Sequence, residues 1–259
     1  MRRKVKELKR IARGNLTGNY LILINAFVTC NIITSLIEMP FSMMTNEIQF
    51  STQNIIYYIA MVLIGIASVV LTAGQYRLHL GVARTGKPNR ADLFYPVKYH
   101  ADRYIFTEFI LFGISLVAMI PMIGGIILIY TQEDFKYYVG ALILAFVSFI
   151  FATYLSLTFD LVYFVLNDNE DLGMMKALKY TKELVTKHRG RYLYMQLSFL
   201  PMLLLVGLSF GTAVFWVHPY MTQTTTLFYL DVKGELDTVL ENRKKEGPAP
   251  EPVMFNQYV

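Results

Sequence analysis

The stretch Asn167-Asp-Asn-Glu-Asp-Leu-Gly-Met-Met-Lys-Ala-Leu-Lys-Tyr-Thr-Lys-Glu-Leu-Val-Thr-Lys-His-Arg-Gly-Arg191 is polar and lysine-rich, and a hydrophobic block adjoins it on either side. Leu172, Met175, Leu178, Thr181 and Leu184/Val185 recur at three- and four-residue spacing, which puts them on one face of an α-helix. Lys176, Lys179, Glu183 and Lys187 fall on the opposite face at spacings that allow i,i+4 support. Asp168, Asn169, Glu170 and Asp171 crowd the start, where a cap and negative charge suit the exposed N–H groups. Lys187, His188 and Arg189 crowd the end, and Gly190 stands where a left-handed stop is expected. The pattern predicts a helix over 171–188 whose apolar stripe packs under a helical bundle or into the headgroup layer.

Working outward, the chain is 54% hydrophobic and only 17% charged, against roughly a quarter charged in soluble domains. Its mean hydropathy is +0.41. Five stretches approach the ~20 apolar residues that cross a bilayer as a helix. No remaining segment is large enough to fold alone as a soluble domain. The fold class expected is all-α, a polytopic transmembrane helical bundle with amphipathic cytoplasmic helices. Cys30 is the single cysteine, which excludes an intrachain disulfide and a zinc-type cluster. Nearly all the charges behind the net +5 flank hydrophobic segments on one side. That is the signature of membrane orientation, and no nucleic-acid partner is expected.

Residues 1–18 form a basic amphipathic helix, with Val5, Leu8, Ile11 and Ala12 on one face and seven Lys or Arg among the first thirteen residues. Such a helix suits an anionic membrane surface. The region 19–231 holds the spans: 20–39, read as an uncleaved anchor ended by Glu38 and Pro40; 55–80; a third from about 104; and 138–166. In the third, Pro121, Gly124 and Gly125 mark a kink or an outer end. The loop 45–54 carries no Lys or Arg, whereas Arg84, Lys87, Arg90, Lys98 and Arg103 follow the second span. The block 192–230 is one span or two short ones turning near Gly207–Gly211. The positive-inside rule favours two, because only then do Lys233, Arg243, Lys244 and Lys245 return to the side of the other basic loops. The reading is therefore six spans, five being the alternative, with both termini cytoplasmic. The sixth, rich in threonine, is polar for a span and faces protein rather than lipid. Residues 232–259 form a cytoplasmic tail with a short helix (Leu236, Val239, Leu240) and disorder expected from about 247.

The ionisable residues within or at the rims of the spans are Glu38, Arg77, Glu108 and Asp160. A charge at mid-bilayer costs about 2.5–3.5 kcal/mol on insertion scales, so such groups sit near an end, pair, or serve function. Arg77, Glu108 and Asp160 are the candidate intramembrane polar cluster, Arg77 pairing with Asp160 or Glu108. Lys176, Lys179, Lys182, Lys187, Arg189 and Arg191 are the candidate membrane-surface or partner-binding residues. His79, His100, His188 and His218 are scattered and form no metal-ligand spacing, and no catalytic motif is present. No cofactor, metal or enzymatic activity is expected.

Glu7-Leu8-Lys9-Arg10-Ile11-Ala12-Arg13 with Gly18-Asn19, the run from Gly74 to Arg84, Val165-Leu166-Asn167-Asp168-Asn169 and Trp216-Val217-His218-Pro219-Tyr220 together carry a resemblance. Ala177-Leu178, Thr181, Leu184, Lys187-His188 and Leu197-Ser198-Phe199 continue it. The chain resembles the bacterial integral membrane family known as domain of unknown function 975. Glu170, where a proline is common in the family, and Pro201 depart from the pattern. The resemblance implies a multi-span protein of the bacterial cytoplasmic membrane and implies no reaction. The function expected is a non-catalytic accessory or scaffold for another membrane or envelope system, the alternative being a small carrier or lipid-handling protein. The expected partners are the bilayer, anionic lipid headgroups and a second membrane protein.

Overall fold

The computed structural model describes residues 3–42, 52–131 and 134–245, and among these every regular element is a helix. Helix α1 (Val5–Leu16) leads into α2 (Tyr20–Ser42), and α3 (Thr52–Thr85) returns to fold back as the short α4 (Ala91–Lys98). A hairpin of α5 (Ala101–Thr131) and α6 (Phe135–Phe159) follows, then α7 (Val162–Asp168), α8 (Met174–Thr186) and α9 (Arg189–Leu197). The chain continues through α10 (Leu200–Leu208), α11 (Val214–Lys233) and α12 (Leu236–Lys245). The expectations for Arg2, for most of the loop at 45–54 and for the tail beyond 246 fall outside the described residues.

Among the described residues, five stretches are long and apolar enough to cross a membrane: Tyr20–Phe41, Asn54–Thr85, Ala101–Thr131, Phe135–Asp168 and Arg189–Leu208. Burial divides α3 in two. Along α3, Ile55, Ile56, Tyr58, Ile59 and Leu63 are exposed, while Val69, Val70, Ala73, Gln75, Leu78, His79, Val82 and Ala83 are buried. On α5 and α6, Tyr130, Phe135, Leu142 and Phe146 are likewise exposed at the far end. Apolar surface on this scale is unstable against water and is covered by lipid. The chain is a multi-pass membrane protein. At the other end α1, α4, α7, α8, α12 and the last turns of α3 and α11 close into one packed body.

The centre of that body is α11. Nearly every residue from Tyr220 to Val232 is buried, and Thr224 and Thr226 return their hydroxyls to the carbonyls of Tyr220 and Thr222 at 2.8 Å. These two hydroxyl donors are thus satisfied within the helix although the segment lies inside protein. The block 192–230 forms two helical arms, α9–α10 and α11, that turn at residues 209–213, where Phe210 (φ 51°) and Gly211 (φ 86°) are left-handed. The second arm is not among the stretches apolar enough to span; it is sheathed by helices.

Five local expectations change. The polar helix is Met174–Thr186, and Gly190 lies inside α9 rather than stopping it. The break falls at Lys187–His188 because α9 must turn inward to bury Tyr192 and Met195. The acids before α8 do not cap it, since no side chain bonds its first turn. The apolar face of α1 is not offered to lipid: Val5, Leu8, Ala12 and Leu16 are buried in the protein core. In the third span the helix runs through Pro121 to Thr131, Met122 donating its N–H to Ser148 Oγ at 2.9 Å from the facing helix. Helix α2 likewise runs past Pro40 to Ser42.

Candidate functional site

The packed end of the bundle carries a network of ion pairs built on residues far apart in sequence. The last turn of α7 projects Asn167 and Asp168 toward α3. Asn167 donates Nδ2–H to the Ala73 carbonyl at 2.9 Å and accepts from the Tyr104 hydroxyl at 3.0 Å. One side chain thereby ties α3, α5 and α7 together. The Asp168 carboxylate, 2% exposed, accepts from both Arg84 Nη atoms at 2.7 and 2.9 Å, from the Tyr229 hydroxyl at 2.8 Å and from Lys233 Nζ at 3.0 Å. Arg84 and Lys233 also share Glu235, at 3.0 and 2.5 Å. A carboxylate removed from water is tolerated only when its lone pairs are met in this way.

Two satellites flank this centre. Arg191 donates to Asp231 at 2.5 Å, and Arg3 donates its backbone N–H to the same carboxylate at 3.2 Å and its guanidinium to Asp237 at 2.7 Å. On the other side Arg77 lies 3.6 Å from Asp92 and 3.2 Å from Glu170, and stacks over the Tyr95 ring at 3.6 Å. Arg103 donates to the carbonyls of Asn169, Glu170 and Leu172, holding the α7–α8 turn. The Tyr95 hydroxyl and then the Arg77 guanidinium hold the Glu170 carboxyl below its usual range. Glu170 therefore contributes stability that is complete above the unfolded carboxylate pKa and fades as pH falls through its lowered value. Burial acts the opposite way on Asp92 and raises it against the pull of Arg77. Glu170→Gln is expected to flatten the acid limb of thermal stability below about pH 4.3, modestly because Glu170 is half exposed. Melting in detergent from pH 7 to pH 3 tests this, and an unchanged limb would contradict it.

The structure separates the three intramembrane candidates. Glu108 and Asp160 line one cavity of about 370 Å³ with Tyr76 and Tyr163, between α5, α6 and α7. The Tyr163 hydroxyl donates to Glu108, and the Tyr192 hydroxyl donates to Asp160, with Gln196 bridging the latter pair. Arg77 does not join them. Of the surface candidates, Lys176, Lys179 and Lys182 are exposed on α8 and Lys187 is exposed just past its end. Arg189 lies over the Tyr154 ring at 4.4 Å, and Arg191 is taken by Asp231. Asp168, Arg84, Tyr229 and Lys233 were not foreseen as a unit. Their only local signal is a charge or hydroxyl at the end of an apolar run, and Asp168 lies 84, 61 and 65 positions from Arg84, Tyr229 and Lys233, separations that carry no spacing rule. Among the described residues no three of His, Cys, Asp and Glu group as metal ligands.

The residues that carried the resemblance now have structural work: Asn167 and Asp168 hold the charged end, Gly74 to Arg84 supply its α3 wall, and residues 7–13 form α1 over α11. Neither a curated protein nor a solved structure matches the chain. The family model for Protein of unknown function (DUF975) matches residues 1–235, which takes in every element of the packed body except α12, and the chain belongs to that family.

Proposed function

We propose that the protein is a non-catalytic accessory or scaffold subunit of the bacterial cytoplasmic membrane, with both termini cytoplasmic, and that α8 is the face it offers to a membrane or envelope partner. The observation that carries this reading is the contrast between α8 and its surroundings. Ala177, Leu178, Thr181 and Val185 bury its inner face, so the helix is rigidly mounted. Its outer face and the residue that follows its end present Lys176, Lys179, Lys182 and Lys187, with exposed Glu183 among them, beside exposed Met175 and Tyr180. These lysines form no ion pair among the described residues, while the cations of the neighbouring network, Arg84, Arg191 and Lys233, are all engaged. A fixed row of unpaired cations with aromatic and thioether neighbours suits an acidic partner surface. The cytoplasmic placement rests on the gathering of α1, α12 and the basic loops at one end.

Affinity purification in mild detergent with mass spectrometry tests the reading. A stoichiometric membrane partner is expected with the wild type and is expected to be lost from Lys176→Glu/Lys179→Glu/Lys182→Glu. A chain that purifies alone contradicts it. The second reading, a small carrier, is favoured by the cavity that holds Glu108 and Asp160. It predicts a co-purifying solute or lipid that Glu108→Gln releases.

A further inference from the structure

We infer that the groove between α1 and α9 is a binding site for an anionic phospholipid, its phosphate held by Lys4, Lys6, Lys9, Arg10 and Arg13 and its acyl chains laid along α9–α10. The groove has a volume of about 700 Å³, and its wall combines those five cations with Tyr194 and Ser198. Among the described residues Glu7 is the one acid at its rim, and Arg3 engages it at 2.5 Å. Lys4, Lys6 and Arg10 make no ion pair among the described residues.

Lys9 fixes the floor. It donates to the Ser198 carbonyl at 2.9 Å and sits 3.9 Å from the centroid of the Phe199 ring. Burial and then the charge of Arg13 push the Lys9 ammonium below its ordinary range, a strain that an anion in the groove relieves. The lipid, rather than a free anion, is selected by what lies beneath. Leu197, Leu200, Leu204 and Leu208 are exposed in succession along α9 and α10, leading from the groove toward the turn at 209–213. That strip belongs to a stretch long and apolar enough to span the membrane. A soluble phosphate uses only the cations, whereas a phospholipid uses both the cations and the leucine strip.

The site departs from the usual mode of a basic amphipathic helix, in which the apolar face enters the lipid. Here that face is spent on the core, and the polar face with α9 forms the lipid contact. The inference does not depend on the partner-docking role of α8, which lies on a different surface.

The test is native mass spectrometry of the full chain released from dodecyl maltoside and titrated with phosphatidylglycerol, phosphatidylcholine or inorganic phosphate. Phosphatidylglycerol is expected to bind stoichiometrically and more tightly than phosphatidylcholine. Lys4→Gln/Lys6→Gln/Arg10→Gln removes three exposed cations and is expected to weaken that binding on the order of 100-fold. Lys176→Gln/Lys179→Gln/Lys182→Gln, of equal charge change, is expected to leave it intact, and Leu204→Gln to weaken the lipid alone. Equal loss from both lysine variants, equal binding of the two lipids, or displacement of phosphatidylglycerol by millimolar phosphate would overturn the proposal.

Discussion

Asp168→Asn is expected to destabilise the folded protein by about 3 kcal/mol, the lower end of what breaking a buried ion pair costs. The substitution keeps the shape of the side chain and removes its charge. Arg84 and Lys233 then lose the carboxylate that both of them face at 2.7 to 3.0 Å, and Tyr229 loses a charged acceptor. The loss stops short of the upper range because Arg84 is a third exposed and Glu235 remains within 3.0 Å of it. Unfolding in mild detergent measures the change. A double-mutant cycle with Arg84→Gln should return a coupling energy above 1 kcal/mol, since residues within one ion-pair network do not add independently. Additive single effects would mean that the two groups merely neighbour each other.

Gly74→Val is expected to be at least as damaging, through sterics alone. A Cβ at position 74 would lie 1.9 Å from the Leu93 carbonyl oxygen and 2.8 Å from its carbon, both of them backbone atoms. No rotamer change relieves that contact, so α4 must move off α3. Overpacking costs about 1–3 kcal/mol when side chains yield and more when backbone must shift. Displacing α4 also carries Asp92 and Tyr95 away from Arg77. Gly65→Ala, nine residues earlier on the same helix with nothing within 4 Å of its Cβ, is the control. It is expected to be neutral or slightly stabilising, because alanine favours helix over glycine by about 1 kcal/mol. The two are compared by thermal unfolding and by trypsin cleavage in the segment 86–90 that joins α3 to α4. Equal behaviour of the two variants would show that α4 is not held by the close approach at Gly74.

The membrane-spanning character of the chain was legible because hydropathy is local: a run of ~20 apolar residues has the same meaning wherever the fold puts it. The burial of α11 was legible for a related reason, since a threonine-rich helix among spans is better placed inside protein than facing lipid. The amphipathic periods of α1 and α8 were readable too, but a period names a face and not what covers it. For α8 the cover is the bundle, one of the two surfaces foreseen. For α1 the cover is the protein core, although seven early cations pointed to a lipid surface. Local stop signals proved weaker than packing: Gly190 stays helical because α9 has Tyr192 and Met195 to bury, and Pro121 is carried because Ser148 takes up the Met122 N–H.

The candidate site divides along the same line. That Glu108, Asp160 and Arg77 are unusual near a bilayer follows from the cost of a charge in hydrocarbon, and each was singled out from sequence on that ground. Which partner each takes is decided by loop closures of 32 to 93 residues: Glu108 with Tyr163, Asp160 with Tyr192, and Arg77 with Glu170. The sequence by itself determined a helical, multi-pass membrane protein with its basic residues gathered on one side, because apolar run length and charge position act through the solvent. Only the tertiary structure decided that the basic side is a closed, ion-paired body centred on α11, because the pairing of Asp168 with Arg84, Tyr229 and Lys233 depends on which helix ends meet in space.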